Sequence, residues 1–264
     1  MNIFTDNKIY PNEDVPVKEH FSKFYDSVFV AFQPFFRIDN DSKSNFFKAS
    51  KQISVKEAKV QIKELQLLKL KNVKIFTSNE NYPKDRDIYE NGILIKWKEI
   101  VSGTNLSDNI ELYRALKTSI GAYKKQLERQ DLLKVLDDYT DLQKIWHPKN
   151  GEFDIFAKKG IYQTFKNFNK DKIIVVNEFF ENVTEFDLTK LSEFEFVEKI
   201  NYKDHYVYSK DKEILFTIEC DSYFYLIAIN KNKIEFIENR FDGFIANEKT
   251  THLWEWKARE INVF

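Results

Sequence analysis

Alternating and continuous runs of apolar residues mark a three-stranded segment between residues 205 and 229. Apolar side chains occupy every second position from Ile214 to Cys220, which is the period of a β-strand with one buried face. The run from Tyr223 to Ile229 is apolar on both faces and predicts a strand that is covered on each side. The links between the three strands are too short for a parallel crossover, so we expect an antiparallel meander.

Apolar positions at steps of three and four predict helices on both sides of this meander. The predicted helices span 17–25, 54–70, 107–127, 132–142, 153–168, 188–200 and 233–241, and further strands span 27–32, 73–76, 92–97, 172–177 and 244–246. Residues 77–91 are polar and are expected to form a loop. The pattern predicts an α+β fold, with an antiparallel or mixed sheet centred on the 205–229 meander and helices packed against it.

The length of the chain permits one large domain or two small ones. With 264 residues there is enough apolar sequence for an ample core in either case. The weakest joint is the stretch 147–151, where His147-Pro148 and Asn150-Gly151 interrupt the pattern. We predict a single domain over residues 1–264, because lone strands in the first half need partners. A subdivision near 147–151 is the alternative.

Composition and charge exclude several classes of protein. Hydrophobic residues are 42% and charged residues 31% of the chain, as in ordinary globular proteins. The formal net charge of −1 argues against a general affinity for nucleic acid or an anionic membrane. The chain has no apolar run of membrane-spanning length, and its first residues lack the pattern of a signal peptide. We therefore expect a cytoplasmic protein, and the heavy use of Lys, Asn, Ile and Phe suggests a bacterial source.

The residues that could carry chemistry form no recognised motif. None of the four histidines has metal-motif spacing, and no standard phosphate loop or nucleophile elbow occurs, so no metal and no cofactor is predicted. An enzymatic site would have to assemble in space from His205, His252 and a carboxylate of Glu219 or Asp221. Cys220 ends an alternating strand, so we expect a buried, inert thiol.

Aromatic residues near the end of the chain are candidates for a binding surface. Residues 250–256 alternate, and His252, Trp254 and Trp256 would share one face. They could line a ligand pocket or a protein-binding patch, or they could close a core. The candidate ligand-binding or partner-binding residues are His205, Glu219, Asp221, His252, Trp254 and Trp256.

A lysine-rich helix at 54–70 invites a nucleic-acid hypothesis. Glutamates dilute its charge, and only 6 of the 41 basic residues in the chain are arginine. Because arginine supplies the commonest specific base contact, a solvated helix face is the better interpretation and no nucleic-acid partner is predicted.

Two stretches resemble a known family. Residues 94–128, LIKWKEIVSGTNLSDNIELYRALKTSIGAYKKQLE, and residues 241–256, FDGFIANEKTTHLWEW, are similar to segments of the domain-of-unknown-function family numbered 2711, found in Bacillus-type bacteria. The resemblance implies a bacterial setting and no activity, cofactor or site.

The absence of catalytic motifs and the near-neutral charge favour a non-enzymatic protein that binds or regulates another protein. The alternative is an enzyme with an unrecognised histidine and carboxylate site near the meander and the C-terminus.

Overall fold

The computed structural model describes residues 3–4, 6–38, 50–53, 56, 75–78, 82–121 and 127–254. The chain divides into two compact units, one formed by Met1–Pro34 with Pro148–Phe264 and the other by Phe35–His147. One boundary falls at the stretch where the sequence has its weakest joint, and the boundary after Pro34 was not predicted. The single domain over residues 1–264 stays a prediction.

The elements are numbered in chain order. The helices are α1 Val17–Phe21, α2 Asp85–Asn91, α3 Trp97–Gly103, α4 Asn109–Ser119, α5 Gln130–Gln143, α6 Ile155–Asn167, α7 Glu193–Lys199 and α8 Ile234–Arg240, and a 3₁₀ turn at Lys231–Lys233 precedes α8. The strands are β1 Ser27–Phe32, β2 Phe35–Ile38, β3 Ser50–Ile53, β4 Ile75–Ser78, β5 Gly92–Ile95, β6 Lys172–Asn177, β7 Val183–Asp187, β8 Asp204–Ser209, β9 Ile214–Ile218, β10 Phe224–Ile229 and β11 Gly243–Ile245.

The first unit is built on a seven-stranded sheet with the order β11-β1-β10-β9-β8-β6-β7. Every neighbouring pair is antiparallel. The predicted α+β class is confirmed, and β8, β9 and β10 are the predicted meander. The N-terminal strand β1 lies between β10 and β11, so both ends of the chain contribute to one sheet.

Both faces of this sheet are covered in its middle. All residues of β9 are buried, including Thr217, so the prediction of one solvated face on this strand is wrong. On one face α6 packs against the sheet, with Phe165 contacting Phe216 at a ring separation of 5.6 Å. On the other face the N-terminal segment covers the sheet, and the rings of Phe4 and Tyr208 are 4.9 Å apart.

The second unit combines short strand pairs with helices. β2 pairs with β5 and β3 with β4, each antiparallel. Trp97 and Trp146 are buried, and Trp146 exchanges backbone hydrogen bonds with Phe36. No helix among the described residues has the length and apolarity needed to cross a membrane.

Several predicted elements differ from the structure. The predicted long helix over 107–127 ends at Ser119, because Gly121 adopts a left-handed conformation with φ 65°. The predicted loop 77–91 contains α2, and residues 250–254 form a turn and a helix start instead of an alternating strand. The predicted helix over 54–70 lies outside the described residues, apart from Lys56, which is helical.

Candidate functional site

One end of the seven-stranded sheet brings together three of the six predicted site residues. β8 begins and β9 ends at this end of the sheet, which places His205 near the turn that carries Glu219 and Asp221. His205 is buried, and burial lowers the pKa of its imidazole, although the charges of Glu178 and Asp204 oppose that shift. A buried neutral histidine results, which carries no charge for a ligand at pH 7.

The charge of Glu178 also acts on the neighbouring tyrosine, Tyr206. Burial raises the pKa of Tyr206 to about 12, and the charges of Glu178 and Glu219 add to the shift. The ring of Phe180 stacks on Tyr206 at 4.8 Å. This end of the sheet is therefore a packed aromatic and acidic cluster.

Asp221 and Cys220 lie in the turn between β9 and β10. The Asn150 side-chain amide donates to Asp221 Oδ1 at 3.0 Å, and the Gly151 amide donates to the Ser222 carbonyl. Cys220 is exposed, so the predicted buried thiol is wrong, because β9 ends at Ile218 before reaching it. Desolvation and the charges of Asp221 and Glu178 raise the pKa of the Cys220 thiol. A thiol with a raised pKa is a poor nucleophile at neutral pH.

The C-terminal candidates have other partners. His252 Nδ1 lies 3.3 Å from the Pro11 carbonyl oxygen, and its ring is 5.6 Å from that of Tyr10. Trp254 packs against three phenylalanine rings, those of Phe32, Phe224 and Phe244. Within the described part of the chain, no group of three His, Cys, Asp or Glu side chains is arranged to hold a metal ion. Trp256 lies outside the described residues.

A second candidate region is the edge strand β7, which sequence patterns did not predict. β7 ends the sheet, and among the described residues it pairs with β6 alone. Its first three residues are exposed and its last two are half-buried. Such a strand presents backbone donors and acceptors to which another chain can pair.

The register shows which backbone groups of β7 point outward. Asn177 and Leu188 donate across the β6–β7 ladder to the carbonyls of Asn182 and Asp171. Because hydrogen-bonded pairs alternate along an antiparallel ladder, residues 184 and 186 face β6. The N–H and C=O groups of Val183 and Glu185 therefore point away from the sheet.

Three large exposed side chains lie at the start of β7 and in the two turns at that end of the sheet, Val183 on β7, Phe179 in the β6–β7 turn and Tyr202 in the turn before β8. Phe179 is 72% exposed, and Val183 and Tyr202 are each 63% exposed. Their turns are joined, because the Glu178 amide donates to the Lys203 carbonyl at 3.0 Å. Exposed aromatic side chains near an edge strand are the kind of surface that protein interfaces favour.

A polar pocket of about 220 Å³ opens beside the same strand. It lies between β6, β7 and the turn from α7 to β8, and it is lined by Val175, Asn177, Asn182, Thr184, Phe186, Lys199, Asn201, Lys203 and Asp204. The lining contains two positively charged lysines and one carboxylate, so its net charge favours an anionic group.

Local chemistry builds this pocket. Asn177 is buried, and its Oδ1 accepts the backbone amides of Glu181 and Asn182 at 2.9 and 3.0 Å, which fixes the β6–β7 turn. Asp204 Oδ2 accepts the backbone and side-chain amides of Asn201, which fixes the turn before β8. Asn177 is the last residue of β6 and Asp204 the first residue of β8, and the roles of both follow from hydrogen bonds to the adjoining turns, which sequence periodicity does not reveal.

The fold and these surfaces define an α+β protein with an exposed sheet edge and a polar pocket. The chain belongs to the family described as a protein of unknown function, DUF2711, whose model matches residues 13–256. The predicted resemblance is confirmed. The chain is also 24% identical over 176 residues to the uncharacterized protein YwbB of Bacillus subtilis strain 168, covering 66% of this chain and 77% of that protein. No solved structure matches the chain significantly.

Proposed function

We propose that this protein is a non-enzymatic binding module that captures an extended segment of a partner protein along the β7 edge. The observation that supports the proposal is the outward-facing backbone of Val183 and Glu185. The exposed side chains of Phe179 and Tyr202 lie in the two turns at the start of this strand, which a hydrogen bond joins. Strand addition to a sheet edge takes its affinity from main-chain hydrogen bonds and its specificity from side-chain pockets. β7 offers both features.

The charges on β7 are also the kind that protect an edge from aggregation. Glu185 pairs with Lys210 and Asp187 with Lys172, so two carboxylates lie on the outer strand. The apolar side chains are concentrated at its other end, around Val183. Protection against aggregation does not explain the exposed rings of Phe179 and Tyr202, because exposed aromatic side chains favour association.

The enzymatic alternative has less support. His205 is buried and its pKa is lowered, and His252 contacts the Pro11 carbonyl and the Tyr10 ring. A general base needs to reach the proton that it removes, and the described contacts give neither histidine such access.

The proposal is tested with random peptides of about twelve residues, displayed with a free C-terminus and selected on the wild-type protein. Enriched peptides are then measured by calorimetry against Glu185→Pro and Glu185→Ala. Proline removes the outward N–H of residue 185 and keeps the ladder to β6, whereas alanine keeps the N–H. Both variants lose the ion pair with Lys210, so they are matched controls for each other.

We expect Glu185→Ala to bind the peptides like the wild type and Glu185→Pro to bind at least about tenfold more weakly, which corresponds to about 1.4 kcal/mol. Val183→Lys, which adds a charge at the exposed end of the edge, gives a second variant whose fold is not at risk. Failure to enrich any peptide, or equal affinity for all variants, would contradict the proposal.

A further inference from the structure

We infer that the pocket beside β7 binds a carboxylate group carried by the segment docked on that strand. This inference rests on the proposed function, which it extends by naming the chemistry of the partner. It is carried by three observations on the pocket: its charge, its hydrogen-bond donors and its position along β7.

The charge of the pocket is the first observation. Lys199 and Lys203 line it, and no ion pair among the described residues includes either of them. Lys203 Nζ lies 5.5 Å from the ring centre of Tyr202, beside the exposed aromatic surface. The one carboxylate of the lining, Asp204, is buried and accepts two amide hydrogens on Oδ2 from Asn201. Lys199 acts electrostatically on Glu195 at the surface, and Lys203 lies over the Tyr202 ring, but neither ammonium group is neutralised by the carboxylate of the pocket. The lining therefore keeps a positive charge that attracts an anion.

Hydrogen-bond donors are the second observation. Asn177 Oδ1 is used by two backbone amides of the β6–β7 turn, so its side-chain NH₂ is the half of the amide that remains for the pocket. Asn182 and Thr184 add a second amide and a hydroxyl to the lining. A planar carboxylate accepts such N–H and O–H donors on both oxygens.

The position of the pocket is the third observation. Thr184 and Phe186 line it and share a face of β7, so the pocket lies on one face of the edge strand. A strand added to β7 would place alternate side chains on that face, roughly 5 Å from those of β7. Polypeptides carry carboxylates at the C-terminus and on Asp and Glu, and either source would reach the pocket from the edge.

The first test uses N-acetylglycine as the probe, with N-acetylglycinamide as its uncharged match. Nuclear magnetic resonance follows the side-chain amides of Asn177 and Asn182 during titration. The variants are Lys199→Met with Lys203→Met, and a control with the same loss of charge elsewhere, Lys231→Met with Lys249→Met, at two exposed lysines outside the pocket.

We expect the amide resonances to shift saturably with N-acetylglycine and to respond little to N-acetylglycinamide. The Lys199→Met, Lys203→Met variant should bind N-acetylglycine at least about tenfold more weakly than the wild type, and the Lys231→Met, Lys249→Met control should bind it equally well. Equal binding by both double variants, or shifts that do not saturate, would overturn the carboxylate site. Tighter binding of inorganic phosphate than of N-acetylglycine would overturn the ligand class.

The second test uses the peptides selected on the wild-type protein. Amidation of the C-terminus and Asp→Asn or Glu→Gln changes within the peptide distinguish the two sources of the carboxylate. Some peptides could bind Glu185→Pro more weakly than the wild type but bind the Lys199→Met, Lys203→Met variant as tightly as the wild type. That result would overturn this inference and leave the proposed function intact. Saturable binding of N-acetylglycine without any peptide that depends on residue 185 would instead overturn the docking on β7.

Discussion

Thr217 is buried although the alternation of apolar and polar residues along β9 predicts that it faces solvent. It occupies a polar position of the alternating strand β9, yet it is fully buried. Its hydroxyl makes no hydrogen bond to any part of the chain that the structure describes. A buried polar group without a partner costs free energy that an apolar group of the same shape would not cost.

We predict that Thr217→Val raises the free energy of unfolding by about 1 kcal/mol, because valine keeps the branched shape and removes the hydroxyl. Urea-induced unfolding followed by circular dichroism measures the change. The control Thr217→Ala also removes the hydroxyl but leaves a void, so it is expected to be less stable than Thr217→Val. A loss of stability in the valine variant would show that the hydroxyl has a partner in the folded protein.

At the scale of elements, a charged network ties the β8–β9 hairpin to two helices. Lys170, which follows α6, contacts Asp211 at 2.5 Å and Glu213 at 2.7 Å. Lys233, just before α8, contacts Glu213 at 2.5 Å. Hydrogen bonds from Lys170 and Lys233 lower the pKa of Glu213 below its ordinary value of 4.5. The ionised glutamate therefore contributes to the stability of the folded state.

The pH dependence of this network follows from the direction of that shift. A carboxyl group whose pKa is lowered by folding stabilises the protein above its unfolded pKa, and the contribution is lost as the pH falls through the folded pKa. We predict that Glu213→Gln lowers the free energy of unfolding by about 0.5–1 kcal/mol at pH 7, since the glutamate is partly exposed. The difference from the wild type should shrink in thermal unfolding measurements as the pH falls through the lowered pKa of Glu213, and a difference that does not shrink on acidification would contradict the assignment.

The elements also show where sequence patterns succeed and fail. The meander was predicted because β9 and β10 carry local runs of apolar residues joined by short links. β7 was missed because exposed residues such as Val183 and Glu185 give it no apolar period. The left-handed conformation of Gly121 ends α4, which the spacing of Ile120 and Leu127 had suggested would continue.

The candidate site could be predicted only in part for a related reason. His205, Glu219 and Asp221 could be selected because histidine and carboxylate side chains often carry chemistry, and the structure does place them at one end of the sheet. The pocket depends on Asn177 and Asp204, whose roles follow from hydrogen bonds within turns. Residue type alone does not carry that information.

At the scale of the whole molecule, the first unit is discontinuous in sequence. β1 pairs with β10 over six residues and with β11 over three, so residues from the first part of the chain complete a sheet formed by the last part. The two segments also meet where they leave the unit, because the Gln33 side-chain amide donates to the Glu152 carbonyl. A short linker can therefore join Pro34 to Pro148.

We predict that residues 148–264 alone do not fold, because without β1 the strand β10 has an open edge and β11 has no neighbour. Residues 1–34 joined to 148–264 by a short Gly-Ser linker should fold, with dispersed amide resonances and a single cooperative thermal transition. Folding of 148–264 alone would show that β1 is dispensable. Failure of the joined segments would show that residues 35–147 are needed for the sheet, as a single domain over the whole chain requires.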